Sequence, residues 1–306
     1  MTKYIVSGYI GFDNFGDEAI ARVLTDKLKS EGAQSITLIS SNPEKTAQMH
    51  NVKSCGMLKF VKSLWESDVL ISGGGSLLQD VTSLKSLLYY LAVIYSAMIM
   101  GKKVEIFAQG IGPINSKIGQ LLTKIALKKA DKISVRDSKS QELLKSWGIE
   151  SELVEDPVFG ININQFEKKN IIGIQLRDCT QLSENFLKIL AKHVAEKFVN
   201  KKIKLLSLQD SMDLAICEKF NQFLKDNGVS AEIKSGLSID DVIENISELE
   251  YLIAMRFHAN VIGLKSKVNT IGINYDPKVE KLAHTYNMPL IELNGSNIDE
   301  IFGNIN

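Results

Sequence analysis

Two α/β domains, each a parallel sheet covered by helices, are predicted by three observations. Short apolar runs of strand length alternate with helical patterns along the whole 306-residue chain. At 44% hydrophobic residues, the chain can bury more than one core. One stretch near the middle, "EDPVFGININQFEKKN" (residues 155–170), lacks apolar periodicity and mixes a proline and a glycine with asparagines and charges. It divides the chain into residues 1–160 and 161–306, two Rossmann-like domains with parallel sheets of about five strands each.

In the first half, strands are expected at "KYIVSGYI", "SITLIS", "DVLIS", "KKVEIFAQ" and "KISV". In the second half they are expected at "IIGIQL", "IKLLSL", "AEIKS", "EYLIAM" and "NTIGINY". Between them Ile20, Val23, Leu24 and Leu28 recur at helical spacing, as do Met57, Phe60, Val61, Leu64 and Trp65. The most apolar stretch, "SLLYYLAVIYSAMIMG" (residues 86–101), is too short to span a bilayer and reads as a buried helix. Open parallel sheets take ligands at the carboxyl ends of their strands, and two such domains place a ligand cleft between them.

The bulk chemistry narrows the function. Basic and acidic residues are equal at 36 each and interspersed, which argues against a nucleic-acid partner. Cys55, Cys179 and Cys217 form no paired motif, as in a reduced cytoplasmic protein, and no metal site is expected. The opening "MTKYIVSGYI" reads as a strand rather than a secretion signal.

Lysine outnumbers arginine 32 to four, so the arginines are informative. Arg22 sits on a helical turn and is expected at the surface. Arg136 follows "KISV", Arg177 follows "IIGIQL" and Arg256 follows "EYLIAM", so each marks a strand end. A guanidinium is favoured where a planar fork must grip carboxylate or phosphate at two points. The plainer alternative is that each pairs with a neighbouring acid, since Asp137 and Asp178 directly follow two of them. Three sharing one address point to a site for a small, multiply charged anion. His258, two residues beyond Arg256, falls in the first turn of the next helix, where the helix dipole favours a neutral ring able to carry a proton. In "NYDPKV", Asp276 and Pro277 are suited to starting a helix, which leaves Lys278 to face the anion.

Two glycine-rich turns remain. "GYIGFDNFGDEAI" combines Gly11 with Asn14, Asp17 and Glu18, whose negative charges would repel phosphate. Asp17 could instead cap a helix starting near Glu18. "ISGGGSLLQD" sets Gly73, Gly74 and Gly75 after a strand, where a ligand or another chain segment can approach the backbone. In "SVRDSKSQELL", Ser138 and Gln141 read as a capping box.

Taken with "QGIGPI", "EDPVF", "MRFHANVIGL" and "IGINYDPKV", these segments resemble the polysaccharide pyruvyl transferase family, and within it the cell-surface anchoring (CsaB) branch. The resemblance spans nearly the whole chain. It implies a GT-B-like fold, phosphoenolpyruvate as donor and co-substrate with no cofactor, and a cyclic pyruvate ketal on a sugar as product. For that branch it implies N-acetylmannosamine of a lipid-linked cell-wall precursor as acceptor. It also implies a C-terminal helix crossing back to the first domain, whereas this chain stops at "IDEIFGNIN". Arg256 and His258 fall on the family's main donor motif, and Arg136 and Lys278 on further motif positions. Arg177 joins them by its strand end.

The combined reading makes His258 the acid/base, with Arg136, Arg177, Arg256 and Lys278 around the donor. Gly11, Asn14, Glu18, Gly74 and Gly75 are expected on the acceptor side, with Asp17 taking a proton from the attacking hydroxyl. The helix Met57–Trp65, with Lys59 and Lys62 opposite its apolar face, could rest on the inner face of a membrane carrying the acceptor, although core packing explains it equally. Two rival readings fit the same residues: a nucleotide-sugar glycosyltransferase of the same architecture, and a non-catalytic anion-binding module.

Overall fold

The computed structural model describes residues 1–164 and 166–305. The chain divides into two compact units, Met1–Ile161 and Asn162–Asn306. The first runs β1 (Lys3–Ser7), α1 (Phe15–Ser30), β2 (Ser35–Ile39), α2 (Pro43–His50), β3 (Lys53–Cys55), α3 (Met57–Trp65) and β4 (Val69–Gly73). It continues through α4 (Leu84–Ile99), β5 (Lys103–Gln109), α5 (Lys117–Lys128), β6 (Lys132–Val135), α6 (Ser138–Ser146) and β7 (Glu152–Leu153), and closes on a 3-10 turn, Pro157–Gly160. The second runs β8 (Ile171–Gln175), α7 (Glu184–Lys197), β9 (Lys202–Leu206), α8 (Asp210–Asp226), β10 (Ala231–Lys234) and α9 (Ile239–Ser247). It ends with β11 (Tyr251–Ala254), α10 (Phe257–Lys265), β12 (Asn269–Asn274), α11 (Pro277–Tyr286), β13 (Leu290–Glu292) and α12 (Ile298–Gly303).

Both sheets are parallel throughout. The strand orders are β3-β2-β1-β4-β5-β6-β7 and β10-β9-β8-β11-β12-β13. Every strand expected from the sequence is present. Three more, β3, β7 and β13, lie at sheet edges; at two or three residues each they are too short to show an apolar repeat.

Pleating sorts the side chains of the first sheet onto its two faces. Val6, Val69 and Ile71 meet Ala21, Leu24 and Leu28 of α1 on one face. Ile5, Leu70 and Ile106 meet Phe60 and Leu64 of α3, Leu87 and Leu91 of α4, and Ala126 of α5 on the other. In the second unit Phe186, Leu190, Phe220 and Phe302 cover Ile172, Ile174 and Ile253. The last helix, α12, packs on α7 and β13 of its own unit. The expectation that residues 86–101 form a buried helix is only half met: α4 buries Leu87, Leu91 and Ile94 but leaves Leu84, Leu88 and Ile99 exposed. No helix among the described residues is long and apolar enough to cross a membrane.

Candidate functional site

The second unit gathers its chemistry where β8, β11 and β12 end. Arg256 leaves β11 in an extended conformation and stands at the N-cap position of α10. Its Nε donates to Asp213 Oδ2 at 2.8 Å, and its Nη2 to Asp213 Oδ1 at 2.6 Å and Gln209 Oε1 at 3.2 Å. Asp213, in the first turn of α8, is completely buried, and Arg256 is only 7% exposed. The Asp213 carboxylate also accepts from the backbone N–H groups of Leu208 and Gln209, at 3.0 and 3.1 Å. A buried charge pair is tolerable only with its remaining valences filled in this way. Gln175, the last residue of β8, accepts the Arg256 N–H at 2.7 Å. The Arg177 N–H donates to Met255 Sδ at 3.3 Å, so the ends of β8 and β11 are tied twice.

Tyr275 stands half-buried just past β12. Burial pushes the Tyr275 hydroxyl above the usual phenol range, against the pull of the Arg177 and Arg256 charges. Lys278 is exposed in the first turn of α11, which starts as foreseen with Asp276 as cap (Lys278 N–H to Asp276 Oδ1, 2.8 Å) and Pro277 at its first position. A hollow of about 550 Å³ opens here, lined by Tyr275, Asp276, Pro277, Asn274, Gln181 and Ser183. His258 is half-buried in the first turn of α10, with its ring edge-on to Phe257 at 5.1 Å.

Of the four expected donor-side cations, Arg177, Arg256 and Lys278 belong to this unit, and Arg136 belongs to the first. Arg136 Nη1 donates to Asp156 Oδ2 at 2.5 Å and Nη2 to Ser76 Oγ at 3.4 Å, with both members of the ion pair almost wholly buried. The carboxylate partners are thus Asp156 and Asp213 rather than the adjacent Asp137 and Asp178. Asp137 instead caps α6 by accepting from Ser140 N–H, the role expected of Ser138. Arg22 is half-buried rather than at the surface, and its Nη2 donates to Met49 O at 3.3 Å.

The acidic glycine turn is corrected in several places. Its helix starts at Phe15, and Asn14, not Asp17, is the cap, with Oδ1 accepting from Gly16 N–H at 3.0 Å. Glu18, expected to meet a sugar, points inward: Oε1 accepts from Gly11 N–H at 2.7 Å and Oε2 lies 2.9 Å from Nε2 of buried His50. Gly11 is pressed against the turn after β2. A Cβ there would stand 2.2 Å from Ser40 Oγ and 2.7 Å from Asn42 N, at a φ of +85°. Gly74 and Gly75, at φ +91° and +55°, lie close against α1, their Cβ positions 3.3 Å from Ile20 Cγ2 and 2.6 Å from Asp17 Oδ1. Asp17 remains half-buried at the edge, close enough that its charge, after burial, raises the Tyr90 hydroxyl. Gly11→Ala is expected to cost about 2 kcal/mol or more, from left-handed strain plus the clash, read as a lower urea midpoint.

Two of the three thiols are sealed. Cys55 and Cys217 are buried, and burial together with the charge of Asp213 pushes Cys217 up to about 12, far from a reactive thiolate. A thiol reagent should therefore label Cys179 alone in the native protein, and all three after denaturation; mass spectrometry counts the adducts.

The sequence reading missed Asp213, Gln175, Gln209 and Tyr275. A signal did exist for Asp213: it lies in register with Ile216, Cys217, Phe220 and Leu224, an acid on an otherwise apolar stripe.

The fold is shared with sugar-nucleotide enzymes. A putative UDP-N-acetylglucosamine 2-epimerase from Listeria monocytogenes superposes with a TM-score of 0.68 at 9% identity, over 98% of this chain and 86% of that one. Anabaena HepE, solved with UDP and glucose, gives 0.65 at 12% identity over 99% and 89%. The UDP-GlcNAc 2-epimerase of Methanocaldococcus jannaschii gives 0.66 at 12% over 100% and 92%. No curated protein matches the sequence. Two parallel-sheet α/β units with these neighbours define a GT-B-like architecture. The chain belongs to the polysaccharide pyruvyl transferase family, whose model matches residues 14–277, and is a transferase.

Proposed function

We propose that the protein moves the pyruvyl group of phosphoenolpyruvate onto a sugar as a cyclic ketal and releases phosphate. The observation that supports this reading is that Arg177 and Arg256 leave the ends of adjacent strands β8 and β11, which the Arg177 N–H to Met255 Sδ bond ties together, with His258 two residues beyond Arg256. Phosphoenolpyruvate bears a carboxylate and a phosphate a few ångströms apart. Asp213 and Gln209 hold Nε and Nη2 of Arg256, so the Nη1 edge is the one offered to an incoming anion. Lys278 adds a charge from the first turn of α11 and Arg177 a second fork. These groups are set before the donor arrives, which is the condition for electrostatic stabilisation at little reorganisation cost.

His258 protonates the methylene carbon, leaving an oxocarbenium-like centre that a sugar hydroxyl attacks. A second hydroxyl displaces phosphate and closes the ketal. Two hydroxyl protons are released; the one that Asp17 takes up is passed on, so that in sum one proton restores His258, the other leaves with phosphate, and Asp17 ends as it began. On the first unit, Asp17 is the carboxylate assigned to the attacking hydroxyl, since Glu18 is turned inward. The acceptor we assign, following the cell-surface anchoring branch, is N-acetylmannosamine of a lipid-linked precursor, presented at the inner face of the membrane to a cytoplasmic enzyme.

The test incubates the protein with phosphoenolpyruvate and a β-N-acetylmannosaminyl acceptor. Product carrying the pyruvyl mass increment and equimolar phosphate are expected, and phosphoenolpyruvate should slow labelling of Cys179, two residues from Arg177. Thermal stabilisation by a uridine nucleotide sugar, with none by phosphoenolpyruvate, would instead favour a glycosyltransferase. Stabilisation by phosphoenolpyruvate with no phosphate release from any acceptor would point to a binding module.

A further inference from the structure

Three helices of the first unit, α3, α4 and α5, lie side by side on one face of the sheet and share its core. Tyr89 Oη meets Met57 Sδ at 3.1 Å, and Lys102 Nζ donates to Trp65 O at 2.8 Å, which joins α4 and its following turn to α3. Tyr95 Oη donates to Leu122 O at 2.7 Å, joining α4 to α5. Each helix has its buried apolar face and, pointing away from the sheet, a second apolar stripe at helical spacing. On α3 the stripe is Leu58, Val61 and Trp65, at 104%, 63% and 71% exposure. On α4 it is Leu84, Leu88 and Ile99, and on α5 it is Ile118, Leu121 and Ile125. Exposed apolar stripes on three neighbouring helices are what an interaction site presents.

The charge on the same helices has one sign. They carry Lys59, Lys62, Lys85, Lys117, Lys124 and Lys128, and no aspartate or glutamate at all, in a chain whose acids and bases otherwise balance. Glu66, just past the end of α3, lies 3.9 Å from Lys62. Beside α3 a hollow of about 450 Å³ is lined by Lys3, Lys53, Lys59 and Lys62, with Glu66 its one acid. Exposed apolar stripes interleaved with lysines are the composition that partitions into the headgroup region of an anionic bilayer.

We propose that the α3–α4–α5 face docks the protein on an anionic lipid surface. The apolar side chains enter the headgroup–acyl boundary, and the lysines, with aliphatic stems long enough to lie along that boundary, reach the lipid phosphates. Docking would bring the enzyme to the lipid-linked acceptor of the reading above. It does not depend on that reading, because its measure is partitioning rather than turnover.

The full-length protein is sedimented with vesicles of phosphatidylglycerol and phosphatidylcholine, and with phosphatidylcholine alone. Binding to the anionic vesicles at low salt is expected, at least tenfold weaker on neutral ones, with a blue shift of Trp65 emission. Lys59→Glu and Lys124→Glu should each lower partitioning roughly fivefold. Leu121→Asp should abolish it, with an unchanged circular dichroism spectrum and melting temperature because Leu121 is outside the core. No enrichment on anionic vesicles, or equal binding by the three variants, overturns the proposal. Sedimentation equilibrium showing a dimer that Leu121→Asp dissociates, without vesicle binding, assigns the face to a second copy of the chain instead.

Discussion

His258→Asn is expected to lower ketal formation by about 10²–10⁴-fold, the usual contribution of one positioned acid/base, while leaving the donor bound. The separation of effects follows from position. His258 sits at the second residue of α10, and the charges assigned to the donor's anionic ends come from Arg177, Arg256 and Lys278. Asparagine is well tolerated in a first helical turn, so the fold should hold. The informative pair of measurements is turnover by mass increment and thermal stabilisation by phosphoenolpyruvate: the first collapses and the second persists. Near-normal turnover in the variant would remove His258 from the chemistry.

Asp213→Ala should destabilise the second unit by about 3–5 kcal/mol, the range for removing one partner of a buried ion pair. The carboxylate is fully buried and answers two backbone N–H groups as well as the guanidinium, so alanine leaves a charged fork and two donors without acceptors. Urea unfolding would show a lower midpoint. The double variant Asp213→Leu, Arg256→Met carries no stranded charge and should recover much of that loss, yet remain inactive because the donor grip is gone. A double variant no more stable than Asp213→Ala would mean that the pair acts through packing rather than charge.

The sheets were legible because parallel strands buried on both faces read as continuous apolar runs. Arg177, Arg256 and His258 were legible because chemistry in an open α/β sheet collects at strand ends, which short-range pattern locates. Partners distant in sequence were not: Asp213 is 43 residues from Arg256, and Glu18 is 32 from His50. In both cases the trace left in the sequence is an acid on an apolar helical stripe, Asp213 ahead of Ile216 and Phe220, and Glu18 ahead of Ala21 and Leu28. The glycines are ambiguous in the sequence for a related reason. A turn that admits a ligand and a turn that admits the protein's own helix both need a residue without a Cβ, and only the neighbours in space tell them apart.

The outermost strands of both sheets, β3, β7, β10 and β13, are two to four residues long. A rim that brief offers a stray chain too few open amide positions to template fibril-like stacking. The protein should therefore tolerate high concentration without sheet-to-sheet aggregation.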